Sequence, residues 1–365
     1  MEIDASGKIV GKRFLEGILR SRARLTYTSV ARILTDRDAE ESARYAALVP
    51  LLETMEELCR LLSRRRYRRG ALDFDLPETD IQFSESGKIL RVVPAERNIA
   101  HRIVEEFMLA ANECVAEKLA ASGGPALYRV HEKPDPAKVD EFAEFVAALG
   151  YRLEKSDGEY RPRDFQKLIA QLEGKSEQRF LTYLMLRSFM QAHYSDRNIG
   201  HFGLASSVYT HFTSPIRRYP DLVVHRLLKE CLRREPSAAW RERISGRLPQ
   251  VALHVSSRER IADEAEREIE RVKKAQFMAD KIGETFDAVV LSVSRQGFFV
   301  ELLDPYVEGF VPLETLPHDF YSYQERSRAI VGKRGRYQPG TKTRVRLDRV
   351  DRETARLYFS VIRDS

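Results

Sequence analysis

Residues 201–221 hold the densest group of side chains that could do chemistry, in the run HFGLASSVYTHFTSPIRRYPD. The run contains four aromatic rings, two histidines and two adjacent arginines. Arg217 and Arg218 offer planar guanidinium groups, which match the oxygen atoms of a phosphate. Pro220 is typical of the first turn of a helix, and a helix start presents N–H groups to anions. The run therefore predicts a phosphate-binding site beside rings that could stack on bases.

The composition is that of a folded protein, and its small excess of basic residues favours an acidic partner. Of the 365 residues, 43% are hydrophobic, which is enough for a sizeable core and excludes a globally disordered chain. The length favours two or three domains. The 61 basic and 55 acidic residues leave a net charge of only +6, so the clustering of charge matters more than its total.

The sequence has no sign of a membrane span, a signal peptide or a structural zinc site. No window approaches the roughly 18 apolar residues of a spanning helix, and the N-terminus lacks an apolar signal core. The three cysteines are far apart and form no CxxC pair. We therefore expect a cytoplasmic protein with reduced thiols and no membrane partner.

Hydrophobic periodicity predicts a helix-rich region up to residue 282. Helices are expected near 38–69, 97–121, 135–149, 162–172, 176–192, 221–230 and 250–281. Strands are expected at 72–75 and, as a hairpin, at 81–93. The first helix ends in six arginines before Gly70; a solvated helix end and an RNA contact both remain open for them.

From Gly283 onward the pattern changes to short strands separated by turn residues. Strands are predicted at 286–293, 297–303, 306–311, 343–350 and 356–362. Five such strands are typical of a small closed barrel of the OB type. Residues 326–349 contain nine basic residues and one acid, and are interpreted as a surface for a nucleic-acid backbone, with a solvated loop as the alternative. Its predicted contacts are Lys333, Arg334 and Arg336, with Phe286 and Phe298 as stacking rings.

Several of these segments resemble the ribonuclease II / ribonuclease R family of 3′→5′ exoribonucleases, also called the RNB family. The run HFGLASSVYTHFTSPIRRYPDLVVHR (201–226) is similar to the family signature. RSRARLTYTSV (20–30), IAHRIVEEFMLAAN (99–112) and ADEAEREIE (262–270) are similar to family segments in the same order. The region that starts with GETFDAVV (283–290) resembles the S1 type of RNA-binding domain.

The resemblance implies an α+β fold in two domains. Residues 1–282 would form an RNB catalytic domain without its N-terminal part, built from a mixed sheet and many helices. Residues 283–363 would form the five-stranded OB barrel. Single-stranded RNA is the partner that the resemblance implies.

The resemblance also implies roles for individual residues. Arg217 would hold the scissile phosphate, where a fixed cation offsets the charge that grows during hydrolysis. Tyr27 and Glu105 would grip the terminal nucleotide through its 2′-hydroxyl, and Phe74 would close the clamp on the bases. The residues alone leave other interpretations open: a half-buried ring for Tyr27, a solvated polar stripe for Glu105, a strand core for Phe74, and an ion pair with Asp221 for Arg217. The role of Arg218 stays open.

In the family, magnesium ions are held by an aspartate cluster N-terminal to the segments found here. Hard cations need several such oxygen ligands, and this sequence has no equivalent cluster. Asp73 and Asp75 would share one strand face, but a single pair makes a poor metal site, so no metal ligands are predicted. We expect a truncated, split or internally initiated enzyme. Its N-terminal end should either expose apolar faces or be completed by a second polypeptide, a separate N-terminal RNB fragment.

The sequence thus predicts a 3′→5′ exoribonuclease that releases nucleoside 5′-monophosphates from single-stranded RNA, in the form of its C-terminal portion. The alternative is an inactive single-stranded RNA-binding module, or one half of a split enzyme. The lack of an aspartate cluster in this sequence favours the alternative for the isolated chain.

We expect the 365-residue chain to bind oligo(A) without shortening it when Mg²⁺ is present. The basic and aromatic residues for binding are in the chain, whereas the aspartate cluster is not. The measurement is gel analysis of end-labelled oligo(A). Release of labelled mononucleotides above the background of a metal-free control would contradict it.

Overall fold

The computed structural model describes residues 1–74, 78–175, 177–233, 235–317, 319–325, 327–333 and 335–362. Its helices are α1 (Tyr27–Ala31), α2 (Ala39–Arg44), α3 (Val49–Arg69), α4 (Ile99–Ala121), α5 (Pro136–Ala148), α6 (Pro162–Leu172), α7 (Gln178–Ser188), α8 (Tyr219–Arg233), α9 (Ala238–Ser245) and α10 (Leu248–Met278). The strands of the first 282 residues are β1 (Glu2–Ile3), β2 (Ile9–Gly11), β3 (Thr79–Phe83), β4 (Ile89–Pro94), β5 (Tyr128–Val130) and β6 (His193–Ser195). They are followed by β7 (Thr285–Ser294), β8 (Gly297–Leu302), β9 (Glu308–Pro312), β10 (Ser322–Gln324), β11 (Ala329–Val331), β12 (Arg336–Tyr337), β13 (Lys342–Asp351) and β14 (Arg356–Val361).

The predicted helices form, and local capping explains where they begin and end. α3 ends at Gly70, whose φ of +110° lets its N–H turn back to the carbonyl oxygens of the last helical turn. α4 begins after Asn98, whose side chain accepts hydrogen bonds from the Ala100 and His101 N–H groups. The helix predicted at 38–69 is divided at Tyr45 into α2 and α3.

The chain folds into two compact units, and each is built from non-contiguous segments. The first unit comprises Met1–Asp73, Arg97–Lys133 and Met190–Glu259. Its larger core packs one face of α4 against β5, α8 and the start of α10. A smaller core packs α1 and α3 against the start of α4, with Ile33, Leu52 and Ile103 inside.

The mixed sheet expected for residues 1–282 does not form among the described residues. Instead β1–β2, β3–β4 and β5–β6 are separate antiparallel pairs. The reason is visible at β5, where loop carbonyls take the place of a third strand: the Arg129 N–H donates to Tyr209 O and the His131 N–H to Gly200 O. The strand expected at 72–75 is also wrong for Leu72 to Phe74, which adopt no regular structure; Asp75 lies outside the described residues.

The second unit comprises Phe74–Glu96, Pro134–Phe189 and Arg260–Ser365, and contains the predicted barrel. Its five strands close in the order β13-β14-β9-β8-β7. The β14–β9 pair is parallel and the others are antiparallel, which is the Greek-key connectivity of an OB fold. The boundary predicted at residue 282 remains a prediction.

Two of the predicted stacking rings lie inside the barrel rather than on it. Phe298 is 0% exposed and Phe286 is 9% exposed, and both belong to the barrel core. Side chains alternate across a strand, so when Phe298, Val300 and Leu302 point inward, Phe299 points outward and is 46% exposed. The expectation that Phe286 and Phe298 stack on bases is therefore wrong.

The barrel core extends beyond the barrel strands. Val92 of the β3–β4 hairpin and Ala275 and Met278 of α10 are buried in the same cluster. The Tyr306 N–H also donates to the Val92 carbonyl oxygen. The hairpin predicted at 81–93 thus packs on the barrel as part of one compact unit.

The described residues of the basic segment at 326–349 contribute to β-strands rather than forming only a loop. β10, β11 and β12 form a small antiparallel sheet, and the rest of the segment enters β13. Phe298 and Tyr337 stack with ring centroids 4.9 Å apart, which joins this sheet to the barrel core.

Phe298→Ala should destabilise the second unit by about 3–5 kcal/mol, because it leaves a cavity in a closed core. Phe299→Ala, its neighbour on the outer face, should change the free energy of unfolding by less than about 1 kcal/mol. Hydrogen–deuterium exchange of the barrel amides measures both. Equal effects of the two substitutions would contradict the assignment of inner and outer faces.

Candidate nucleic-acid interface

The loop between β6 and α8 carries the signature residues and is anchored by backbone hydrogen bonds. The His201 N–H donates to Ser206 O at 2.8 Å, and the Ser206 N–H donates back to His201 O at 3.2 Å. His131 Nδ1 accepts from the Gly203 N–H at 3.0 Å. A Cβ atom on Gly203 would lie only 3.0 Å from that nitrogen, so a side chain here would require the His131 ring to shift.

Aromatic and imidazole rings in and next to this loop are buried or half-buried and take part in hydrogen bonds. Tyr194 Oη and His211 Nδ1 are 2.7 Å apart, and Asn112 donates to Tyr209 Oη at 2.9 Å. Burial lowers the pKa of His211 to about 2 and the pKa of His201 to about 3, with nearby cationic and imidazole groups adding to the effect. Both histidines are therefore neutral structural residues of the loop.

Asp221 is paired with Arg218, not with Arg217. The Arg218 guanidinium donates to Asp221 Oδ1 at 2.9 Å, and the Ser214 N–H donates to the same oxygen at 2.8 Å. Asp221 is 0% exposed and the Arg218 side chain is 17% exposed. Arg218 therefore fixes the turn before α8, and its predicted contact with RNA stays a prediction.

Arg217 has the opposite environment. Its side chain is exposed, and within the described part of the chain its guanidinium forms no ion pair. It lies two residues before the start of the 15-residue helix α8, where free N–H groups favour an anion. The neighbouring Ile216 is fully exposed. This turn presents an exposed guanidinium, unpaired within the described ranges, at a helix start.

Tyr27, the first residue of α1, packs against the face of α4 that carries Glu105. The Tyr27 ring, 46% exposed, stacks on the His101 ring with centroids 4.0 Å apart. Glu105 follows one turn later on the same face and accepts from Arg97 Nη2 at 2.6 Å. Glu106 instead is buried and paired with Arg66 at 2.9 Å. The structure thus places the Tyr27 ring against α4 one helical turn before Glu105.

Phe74 lies in the second unit and is half-buried. Its ring centroid is 5.9 Å from that of Phe189, which also packs against Phe165 at 4.8 Å. This packing favours the structural alternative for Phe74, and its role in a base clamp stays a prediction.

The outer face of the barrel presents rings that are not among the predicted stacking residues. Phe299 and Phe310 have centroids 5.0 Å apart, and Tyr358 lies 6.5 Å beyond Phe310. Lys333 and Arg336 are exposed on the small basic sheet, and Arg334 lies outside the described residues. The period of two along β8 and β9 is the signal that could have found the outward rings.

Several arginines at the end of α3 form ion pairs and hydrogen bonds within the protein. Arg66 pairs with Glu106 and Asp73, Arg69 pairs with Glu113 at 2.5 Å, and Arg65 donates to Gly7 O at 2.8 Å. Their partners lie within the first unit. These contacts favour the structural alternative over an RNA contact.

The match to known proteins covers both parts of the chain. The family model described as RNB domain matches residues 1–234, and the one described as S1 RNA binding domain matches residues 279–362. This chain belongs to the RNB domain family. It is 44% identical over 364 residues to a protein named Ribonuclease R from Aquifex aeolicus, covering 99% of this chain and 51% of that relative. It is 36% identical over 372 residues to Ribonuclease R of Escherichia coli, covering 99% and 45%.

The chain therefore spans about half the length of the curated relatives it matches. Solved structures share its fold. Mycoplasma genitalium RNase R in complex with ribose methylated single-stranded RNA superimposes with a TM-score of 0.88 at 24% identity, covering 99% of this chain and 56% of that one. Yeast Ssd1, described as a pseudonuclease, superimposes with a TM-score of 0.62 at 21% identity, covering 84% and 37%.

Among the residues that the structure describes, no group of three or more His, Cys, Asp or Glu side chains could hold a metal ion. Asp73 is used by Arg66 and Arg97: burial opposes its ionisation, but the two guanidinium groups outweigh burial and lower its pKa. Its carboxylate is thus engaged in two ion pairs rather than free to hold a cation.

Across the described ranges, no helix combines the length and apolar composition needed to cross a bilayer.

Lowering the pH from 7 to 5 should destabilise the first unit. The unfolded chain takes up a proton on His211 near pH 6.5, whereas the folded chain resists protonation down to about pH 2. The unfolded state thus binds more protons, and stability falls as the pH falls, by at most about 1.4 kcal/mol per pH unit for this histidine. Urea unfolding followed through Trp240, the only tryptophan, measures it.

His211→Gln should reduce this pH dependence, since glutamine does not titrate. His254→Gln, at an exposed position of α10, is the control and should leave the pH dependence as in the unsubstituted protein. The same slope of stability against pH for His211→Gln and the unsubstituted chain would show that His211 is not kept neutral by burial.

Proposed function

We propose that this chain is the RNA-binding part of a 3′→5′ exoribonuclease of the ribonuclease R type. The enzyme would hydrolyse single-stranded RNA one nucleotide at a time and release nucleoside 5′-monophosphates. Membership of the RNB family supports the reaction class, and the match to the S1 RNA binding domain supports the substrate class. Residues 283–363 would be the accessory RNA-binding domain.

The environment of Arg217 carries this proposal. Its exposed guanidinium stands on a turn that Arg218, Asp221 and the backbone of Ser214 hold in place. A cation carried by an ordered turn can stabilise the charge that develops on the phosphoryl oxygens. Arg217 is therefore the residue we propose for the scissile phosphate.

We further propose that Tyr27 and Glu105 hold the terminal nucleotide. The phenol of Tyr27, whose ring packs from α1 onto His101 of α4, and the carboxylate of Glu105, one turn further along α4, can donate to and accept from a ribose 2′-hydroxyl, which distinguishes RNA from DNA. The ion pair with Arg97 keeps Glu105 in one orientation at 2.6 Å. Phe74 is the residue we propose as a stacking ring for the bases.

Hydrolysis in this scheme requires Mg²⁺, whose ligands are oxygen atoms. Because the described residues gather no such ligand group, we propose that its carboxylates come from a segment other than these residues. An N-terminal RNB segment, in the same protein or in a separate polypeptide, is the candidate.

The second candidate function is single-stranded RNA binding without hydrolysis. The lack of a metal-holding group in the described part of the chain favours it. The fold does not decide between the two, since it also occurs in a protein described as a pseudonuclease.

Arg217→Ala should lower the rate of Mg²⁺-dependent oligo(A) degradation by about 10²- to 10³-fold when the chain is supplemented with a matching N-terminal RNB fragment. Arg243→Ala, which removes an equally exposed arginine from α9, should have little effect. The assay is release of labelled mononucleotides. Equal rates for the two variants would refute the role of Arg217, and no release from any mixture would favour the binding module.

The affinity of the chain for oligo(A) should fall as salt is added, because phosphate contacts release counterions. A plot of log affinity against log salt should have a slope of about −0.7 for each phosphate neutralised. Fluorescence anisotropy over a salt series measures it, and an affinity independent of salt would argue against phosphate contacts.

A further inference from the structure

A cleft of about 780 Å³ lies between α10 and the outer face of the barrel, within the second unit. One wall is helical and includes Arg267 and Arg271. The other is the barrel face with Phe299, Phe310 and Tyr358. The volume falls in the range of about 300–1,000 Å³ that is usual for ligand sites, so the cleft can hold a nucleotide.

Two cations at this cleft are available to a ligand. Arg267 of α10 and Arg356 of β14 are exposed, and neither forms an ion pair among the residues described. The other basic residues of the helical wall are already neutralised, since Arg271 pairs with Glu268 and Lys274 pairs with Glu270. Elements on the two sides of the cleft thus each supply one unneutralised guanidinium.

The acids at the cleft do not cancel these two charges. Glu270 is engaged by Lys274 at 2.7 Å. Glu308 is the remaining carboxylate in the lining and is exposed. Two free cations face one free anion, so the cleft keeps a net attraction for phosphate.

The barrel wall supplies the apolar contact. Phe299 is 46% exposed and lies against Phe310, with centroids 5.0 Å apart. The guanidinium of Arg349 lies over the Tyr358 ring, 4.2 Å from its centroid. Because that ring face is occupied, Phe299 and Phe310 are the rings available to stack on a base. Aromatic faces bind bases without sequence preference.

We propose that α10 is the second wall of a groove for single-stranded RNA. Arg267 and Arg356 hold a phosphate from opposite sides, while Phe299 and Phe310 stack on the adjoining bases. The choice of single-stranded RNA as the ligand rests on the proposed function. The new element is α10, a helix outside the barrel that would also contact the RNA. Unpaired RNA is required, because bases in a duplex do not expose their faces.

The test compares the affinity for oligo(A) of the full chain and its single-residue variants over a salt series. Arg267→Ala should weaken binding about tenfold at 0.1 M salt, the lower end for a hydrogen bond to a charged group. It should also make the salt slope shallower, by at most about 0.7 because Arg356 still contacts the same phosphate. Phe299→Ala should weaken binding about 5- to 150-fold, the effect of losing one stacked base, with no change in slope.

Arg258→Ala is the matched control. Arg258 is exposed on the same helix but nine residues earlier, which places it on the opposite face. It should bind oligo(A) within twofold of the unsubstituted chain. Arg267→Lys should restore the salt slope, because a charge is kept.

An Arg267→Ala variant that matches Arg258→Ala in affinity and slope would overturn the groove. If Arg217→Ala still abolished degradation in that case, the proposed function would stand without it. If the unsubstituted chain failed to bind oligo(A), both proposals would fall.

Discussion

Asp221 is fully buried at the start of α8, where its carboxylate accepts hydrogen bonds from the Ser214 N–H and the Arg218 guanidinium. Removing one partner of a buried ion pair lowers the free energy of unfolding by about 3–5 kcal/mol, because the remaining charge is buried without a partner or water to stabilise it. This pair closes the turn that contains Arg217. The position of the exposed Arg217 at the helix start therefore depends on the ion pair between its neighbour Arg218 and Asp221.

The sequence was most informative where a local rule decides the outcome. Gly70 and Asn98 mark the ends of helices by capping, and the structure follows them. The five barrel strands were also predicted within a few residues, because turn residues separate them. The family was recognisable from the 201–226 run, which depends on residue order rather than on packing.

The sequence was least informative where two equivalent residues compete for one environment. Phe298 and Phe299 are both apolar, and only closure of the barrel decides that Phe298 points inward. Arg217 and Arg218 could both reach Asp221 by helical spacing, and the turn selects Arg218. The absence of a mixed sheet among the described residues could not be read from the strands, since loop carbonyls occupy the edge of β5.

The order of strands around the barrel has a consequence for synthesis. β14 pairs with β13 on one side and with β9 on the other, so the ring is completed by the strand that leaves the ribosome after all the others. Until then β9 keeps an unpaired edge, which can template pairing with another chain. The barrel therefore loses its open strand edge at β9 only once β14 is in place, and a chain without β14 would keep that edge available for pairing with another molecule.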